Sequence, residues 1–318
     1  MFSLVQKRRW YYLLSAAVII PGILIMIYSL ATTGSLFRLS NQFLGGSQYE
    51  LTFTAAGANE ANIRQVFVAN GNADVSVQQV GGADSNRWSV RAGFQEPEVQ
   101  TKIVNELEQI APLDRSLLEI QQVSATVGQE VARAAFFAVA LASLIVTGFI
   151  ILAFRSVPNA TRYGVCAIVA MIHDVLVLAG AMSLMGLLFG WEVDALFLTA
   201  TLMVVGFSVQ DTIVLFDRIR ENIPRHLGEP YEAIINRSIL ETIQRSLAIQ
   251  LTVFFIIISI LLFGGDSIKQ FIFILFIGLL TGTYSSIFIA VPLLVSWEKG
   301  EIPFVNRRRR AALAASEA

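Results

Sequence analysis

The sequence predicts a polytopic α-helical membrane protein with six transmembrane helices and one α+β domain inserted between the first and second. Three observations carry this. Of the 318 residues, 55% are hydrophobic and only 15% charged, with a mean hydropathy of +0.63, where a soluble domain has about 25% charged residues. Six apolar runs are long enough to cross a hydrocarbon layer as helices. Between the first two lies a stretch of about 100 residues that is polar throughout, residues 32–132.

Lys7-Arg8-Arg9 precede the first run, Trp10–Ala31, which is too long for the apolar core of a signal peptide and is followed by no A-x-A site. It reads as an uncleaved first span over residues 10–31, with residues 1–9 as a cytoplasmic N-terminus. In the polar stretch, Gln48–Thr54 alternates as a strand, and Asn59–Asn70 places Ile63, Val66 and Phe67 on one helical face. Val75 and Val77 alternate again, Gly81-Gly82-Ala83-Asp84 supplies a turn, and Arg87–Arg91 is a third strand. Pro97 opens a helix to about Ala111, and Leu117–Val123 is a fourth strand. The order β-α-β-β-α-β is the ferredoxin-like pattern.

The remaining runs are Ala134–Phe154, Tyr163–Phe189, Ala195–Phe216, Leu247–Phe263 and Phe271–Val295, within a transmembrane region spanning residues 133–298. The charged segment 217–246 between the fourth and fifth is expected to form amphipathic helices at the membrane surface. Residues 299–318 form a basic tail with Arg307-Arg308-Arg309-Arg310. Lys7, Arg8 and Arg9, then Arg155 and Arg162, then Arg218, Arg220, Arg225 and Arg237, and finally the tail fall on one side of a six-span arrangement. The positive-inside rule makes that side cytoplasmic, with both termini there and the inserted domain extracytoplasmic. The arginine run after the last span reads as the same anchoring to the lipid bilayer rather than as a nucleic-acid site.

Composition also excludes classes of activity. The single Cys166 permits no internal disulfide and no cysteine-rich metal site, and His173 and His226 form no metal-binding pattern. A G-x-x-x-x-G-K-[ST] phosphate loop and a G-x-S-x-G nucleophile elbow are both missing from the sequence. The chain is expected to be no enzyme and to carry no metal or cofactor.

The chemistry is expected from ionisable residues inside the apolar runs, where a charge is costly and functional by default. Asp211 lies six residues before the charged exit of the fourth span, about 9 Å at 1.5 Å per residue. Arg245 stands at the entrance of the fifth. Two roles fit such a pair: a static ion pair locking helices, or a carboxylate that alternately binds and releases a proton while the arginine tunes it. His173 and Asp174 sit near the middle of the third span and either relay protons or pack. Gln250 and Thr252 in the fifth span, and the polar run Thr281–Ser286 with Thr283 and Ser285 in the sixth, either bond neighbouring helices or line a polar path.

Residues 206–222, Gly-Phe-Ser-Val-Gln-Asp-Thr-Ile-Val-Leu-Phe-Asp-Arg-Ile-Arg-Glu-Asn, resemble the signature G-[YF]-S-[VI]-N-D-[TS]-[IV]-V-x-[FS]-D-R-I-R-E-N of the SecF family. SecF proteins are membrane subunits of the bacterial protein-export machinery. Gln210 replaces the family's Asn. Phe43-Leu44-Gly45-Gly46 stands where that family has a GIDFTGG-type stretch, with Gln42 in place of its Asp. His173-Asp174-Val175, the stretch from Asn236 to Arg245-Ser246, Phe263-Gly264-Gly265 and Gly282–Ala290 resemble its other motifs. Ala248-Ile249-Gln250-Leu251-Thr252 carries fewer hydroxyls after the arginine than is usual there. The resemblance implies a subunit that pairs with SecD beside the SecYEG channel in the bacterial plasma membrane. It would couple the proton-motive force to late-stage translocation of a preprotein, with Asp211 and Arg245 central. The alternatives are a resistance-nodulation-division-type proton-driven exporter of small molecules or lipids, and a scaffold without energy coupling.

Overall fold

The computed structural model describes residues 4–80, 86–155 and 159–301. Contacts divide the chain into two units, one built from Met1–Arg38, Val139–Trp191 and Leu196–Ala318, the other from Leu39–Ala138 and Glu192–Ala195.

The first unit is helical. Among the described residues, six helices are long and apolar enough to cross a membrane. After a 3-10 turn at Val5–Lys7 come α1 (Arg8–Thr33), then later in the chain α5 (Ala125–Ala153), of which this unit holds the residues from Val139 on, α6 (Ala160–Phe189), α7 (Ala195–Arg225), held here from Leu196 on, and α8 (Tyr231–Phe263). The last span is α9 (Asp266–Ser285), a π-helical segment at Ser286–Ala290, and α10 (Val291–Glu298). Pro292 has no N–H to return to the carbonyl four residues earlier, and the widened turn falls just before it. Glycines let the backbones meet: a Cβ on Gly180 of α6 would stand 2.8 Å from the Cα of Gly22 of α1. The core is formed by Phe154, Tyr163, Cys166, Phe216, Ile219 and Leu294, among others.

The expected spans are present, but the segment 217–246 does not form separate surface helices. Residues up to Arg225 continue α7, and α8 begins at Tyr231, so the charged stretch is the polar ends of two long helices and the turn between them. Those ends bury Ile219, Asn222, Ile235 and Ser238 against one another, and this packing draws them off the surface. Arg8 clasps the same end of the bundle: it donates to Glu232 of α8 and, through two nitrogens, to Glu301, while Lys299 also pairs with Glu232.

The second unit contains a short helix α2 (Asn41–Leu44), β1 (Gly46–Thr52), α3 (Glu60–Ala69), β2 (Ser76–Gln79), β3 (Arg87–Ala92), α4 (Pro97–Ile110) and β4 (Glu119–Val123). The strands form one four-stranded sheet in the order β2-β3-β1-β4, every neighbouring pair antiparallel. The expected β-α-β-β-α-β order is therefore present. Asn59 caps α3 by accepting the N–H of Asn62 at 2.8 Å. Alternation along the central strand sends Tyr49 and Leu51 into the core with Ile63, Phe67, Val90, Ile103 and Leu107. Burial there pushes the Tyr49 phenol up to about 12. Gly45 has φ +79°, and a Cβ on it would meet the Cα of Ala125 at 2.5 Å, so the double-glycine corner admits no side chain there. The expected Gly81-Gly82 turn and the Arg307–Arg310 run lie outside the described residues.

Candidate functional site: a buried carboxylate in the helical bundle

Asp174 lies in the middle of α6 with 0% of its surface exposed, the one carboxylate among the described residues to be buried. An isolated charge there would be strongly disfavoured, so its partners decide what it can be. Oδ2 accepts from Ser208 Oγ of α7 at 2.6 Å and from Ser285 Oγ at the end of α9 at 2.8 Å. Oδ1 faces His173 Nδ1 at 3.1 Å, and His173 Nε2 meets Ser15 Oγ of α1 at 3.0 Å. Adjacent helix positions point about 100° apart, yet the two side chains reach each other and form one site. Four spans thus contribute a side chain to a continuous line from Ser15 through His173 and Asp174 to Ser208 and Ser285.

The supporting shell fixes the hydroxyls. Thr212 Oγ1 donates to Ser208 O at 2.9 Å and approaches Ser286 Oγ at 3.0 Å, and Ser286 Oγ reaches Ser208 O at 2.9 Å. The π-helical turn lets consecutive Ser285 and Ser286 both face inward, each buried. A Cβ on Gly282 would stand 3.2 Å from Ser208 Cβ, and this close approach brings the serines into range. Two hydroxyl donors on Oδ2 suit a carboxylate, and the imidazole beside Oδ1 is within hydrogen-bond distance of it at 3.1 Å.

The second carboxylate is arranged differently from expectation. Asp211 of α7 is partly buried and accepts from Gln250 Nε2 of α8 at 2.6 Å. Arg245 is exposed and forms no pair with Asp211 among the described residues, so the expected Asp211–Arg245 ion pair is absent from this arrangement. Helical geometry explains it: five residues along α8 rotate the side chain by about 140°, so Gln250 facing Asp211 turns Arg245 away. Gln250 Oε1 is buried without a hydrogen-bond partner. Thr252 is exposed and donates to Ala248 O at 3.0 Å, and Thr283 donates to Leu279 O at 2.8 Å. Both hydroxyls are spent on their own helices, and neither joins the buried cluster.

Of the expected residues, the structure unites His173, Asp174 and Ser285 in one cluster and Asp211 with Gln250 in another. Sequence reasoning did not single out Ser15, Ser208 or Thr212. Ser15 had a usable signal, a lone small hydroxyl within the run Leu13–Met26. Ser208 stands within the seventeen-residue signature, three positions before the aspartate that drew attention.

Six spanning-length helices around a hydrogen-bonded buried carboxylate define a multi-pass membrane protein with an ionisable group inside its bundle. Comparison with known proteins gives the family. Residues 102–300 match the family described as protein export membrane protein SecD/SecF, C-terminal. The chain is 45% identical to the protein translocase subunit SecF of Anaerolinea thermophila, over 99% of this chain and 100% of that one. It is 41% identical to SecF of Thermobaculum terrenum, with the same coverage of each. The crystal structure of SecDF, a translocon-associated membrane protein from Thermus thermophilus, superposes with a TM-score of 0.75 at 28% identity. That match covers 94% of this chain and 39% of the SecDF chain, so this chain spans well under half of it. The chain belongs to the SecF family of protein-export membrane proteins.

Proposed function

We propose that this chain is a SecF-type accessory subunit of the Sec translocase that works with SecD beside the SecYEG channel. It couples proton re-entry to the late-stage movement of preprotein across the bacterial plasma membrane. The observation that carries the coupling is the fully buried Asp174 with His173 on one oxygen and two serines on the other. A group of this kind can change charge only by taking up a proton, and neutralising it removes the reason for the hydroxyls to converge. Asp211 with Gln250 supplies a second carboxylate nearer the charged end of α7, and Arg245 would serve it in a conformation that turns α8. One charge moving through 100 mV supplies about 2.3 kcal/mol, enough over repeated cycles to bias a mechanical step.

The partnership with SecD is supported by the likeness of this chain to one part of the longer SecDF chain, and the outer faces of α5 and α8 leave room for a partner. Phe136, Phe137, Leu144 and Phe149, and Phe255 and Phe263, are exposed in the single chain and would meet lipid or a second bundle. The ion pairs of Arg8, Arg162 and Lys299 lie at one end of the bundle, in keeping with that end being cytoplasmic together with both termini. The four-stranded unit then serves as a ferredoxin-like extracytoplasmic domain, where emerging polypeptide arrives.

The test is late-stage translocation in inverted vesicles, with and without an uncoupler, at matched protein levels. Asp174→Asn and Asp211→Asn should each abolish the uncoupler-sensitive component while the chain remains inserted and bound to SecD. Uncoupler-sensitive export at the wild-type rate in both variants would defeat the reading.

A further inference from the structure

His173 presents its two nitrogens to different surroundings. Nδ1 faces Asp174 in the bundle interior, while Nε2 faces Ser15 of α1. Beyond Ser15 lies a cavity of about 200 Å³ between α1, α6 and α9, whose lining includes Leu14, Ser15, Val18, His173, Leu280 and Tyr284. Ser15 is thus the contact of the imidazole on the side away from the carboxylate.

We propose that Ser15 is the positioning residue that sets the tautomer of His173, and so determines whether Asp174 holds a proton. This rests on the proton-coupling reading of Asp174. With Asp174 ionised, His173 is neutral and donates through Nδ1–H to Oδ1, and Ser15 donates its hydroxyl proton to Nε2. A proton delivered by water to Nε2 gives the imidazolium. Transfer of the Nδ1 proton to Oδ1 then leaves a neutral carboxylic acid and a neutral imidazole carrying its hydrogen on Nε2. One proton enters at Nε2, one leaves Nδ1, and Asp174 gains one. Nε2–H now needs an acceptor, so the Ser15 hydroxyl turns to accept from it. Its own proton goes to the hydroxyl oxygen of Tyr284 on α9, whose side chain hydrogen-bonds with Ser15. Tyr284 can accept there because its own hydrogen is committed to the Tyr11 carbonyl at 2.7 Å.

The hydroxyl therefore makes one bond at Nε2 in the first state and two bonds in the second, which favours proton uptake. The other titratable groups around the ring are Tyr11 on α1 and Tyr284 on α9, the latter ring 6.0 Å from the imidazole. From α7 come Ser208 and Thr212, which carry no charge, and Asp211 of that helix turns to Gln250 of α8.

The experiment is an infrared pH titration of the full chain in lipid bilayers, following the carboxylic-acid carbonyl band that disappears in Asp174→Asn. Removing the hydroxyl loses one more bond from the protonated state than from the ionised state. Ser15→Ala should move the midpoint to lower pH by roughly half to one unit. Ser15→Thr, which keeps the hydroxyl, should restore it. An unmoved midpoint in Ser15→Ala, even with a less stable protein, would overturn the role of Ser15 and leave the proton site standing. If no band is lost in Asp174→Asn over about pH 4 to 9, Asp174 takes up no proton and both readings fall. An Asp174 that titrates while export stays insensitive to its replacement would sink the export reading alone.

Discussion

Gly180→Ala tests the seam that holds the buried His173–Asp174 cluster together. The added Cβ would lie 2.8 Å from the Cα of Gly22, a backbone atom that cannot swing aside. Carbon atoms rest about 3.5–4.0 Å apart, so α1 and α6 must part by about 0.7 Å or more. Overpacking of this kind costs about 1–3 kcal/mol. The strain should reach the site, because Ser15 and His173 lie seven residues before Gly22 and Gly180 on their respective helices. That is two turns along the same face of each helix, the repeat of a knobs-into-holes seam. A rigid parting would stretch the 3.0 Å contact between Ser15 and His173 to about 3.7 Å, beyond hydrogen-bond range. Unfolding of the full chain in mixed micelles, followed by tryptophan fluorescence, gives the stability change. Gly22→Ala, whose Cβ would have 3.3 Å to the same seam, should cost less. Gly206→Ala on α7, with nothing within 4 Å, should be neutral or slightly stabilising through helix propensity. A Gly180→Ala protein as stable as Gly206→Ala would refute the close backbone contact and the transmission of strain to His173.

Arg245→Ala should leave stability within about 0.5 kcal/mol, since the side chain is exposed and unpaired with Asp211; a loss above about 1 kcal/mol in the same micelle assay would mean that the ion pair forms in the resting state after all. Leu107→Ala in the sheet-bearing unit removes a fully buried side chain and should cost about 2–5 kcal/mol, read as faster hydrogen exchange of the β1 and β3 amides in the full chain. Arg115 holds Glu108 of α4 below the usual carboxylate range through its hydrogen bonds at 2.6 and 2.8 Å. The stabilisation is present above the ordinary glutamate value and disappears as pH falls through the lowered one, so exchange protection of α4 should weaken below about pH 4. Arg115→Gln should remove that acid dependence.

Hydrophobic run length fixed the six spans in advance, because a helix must satisfy its own backbone in hydrocarbon and about 20 apolar residues cross it. Alternation did the same for the sheet: Tyr49 and Leu51, then Val90, point inward as period two demands. Asp174, Asp211 and His173 stood out because an ionisable residue in an apolar run is conspicuous whatever its neighbours. Their neighbours were another matter. Which carboxylate is fully buried depends on where α7 and α9 pass α6, and that follows from a glycine at 282 and a π-helical turn before Pro292, features whose geometric effect appears only after packing. Whether Asp211 meets Arg245 or Gln250 turns on about 140° of helix rotation, which no periodicity in α8 announces. The charged segment 217–246 carried a surface-like composition, yet its buried face formed from two helix ends meeting each other. Residue types and their depth are properties of one segment at a time, and the sequence states them. A site made by four helices is a property of their mutual rotation and spacing, and only close packing of the whole bundle decides those.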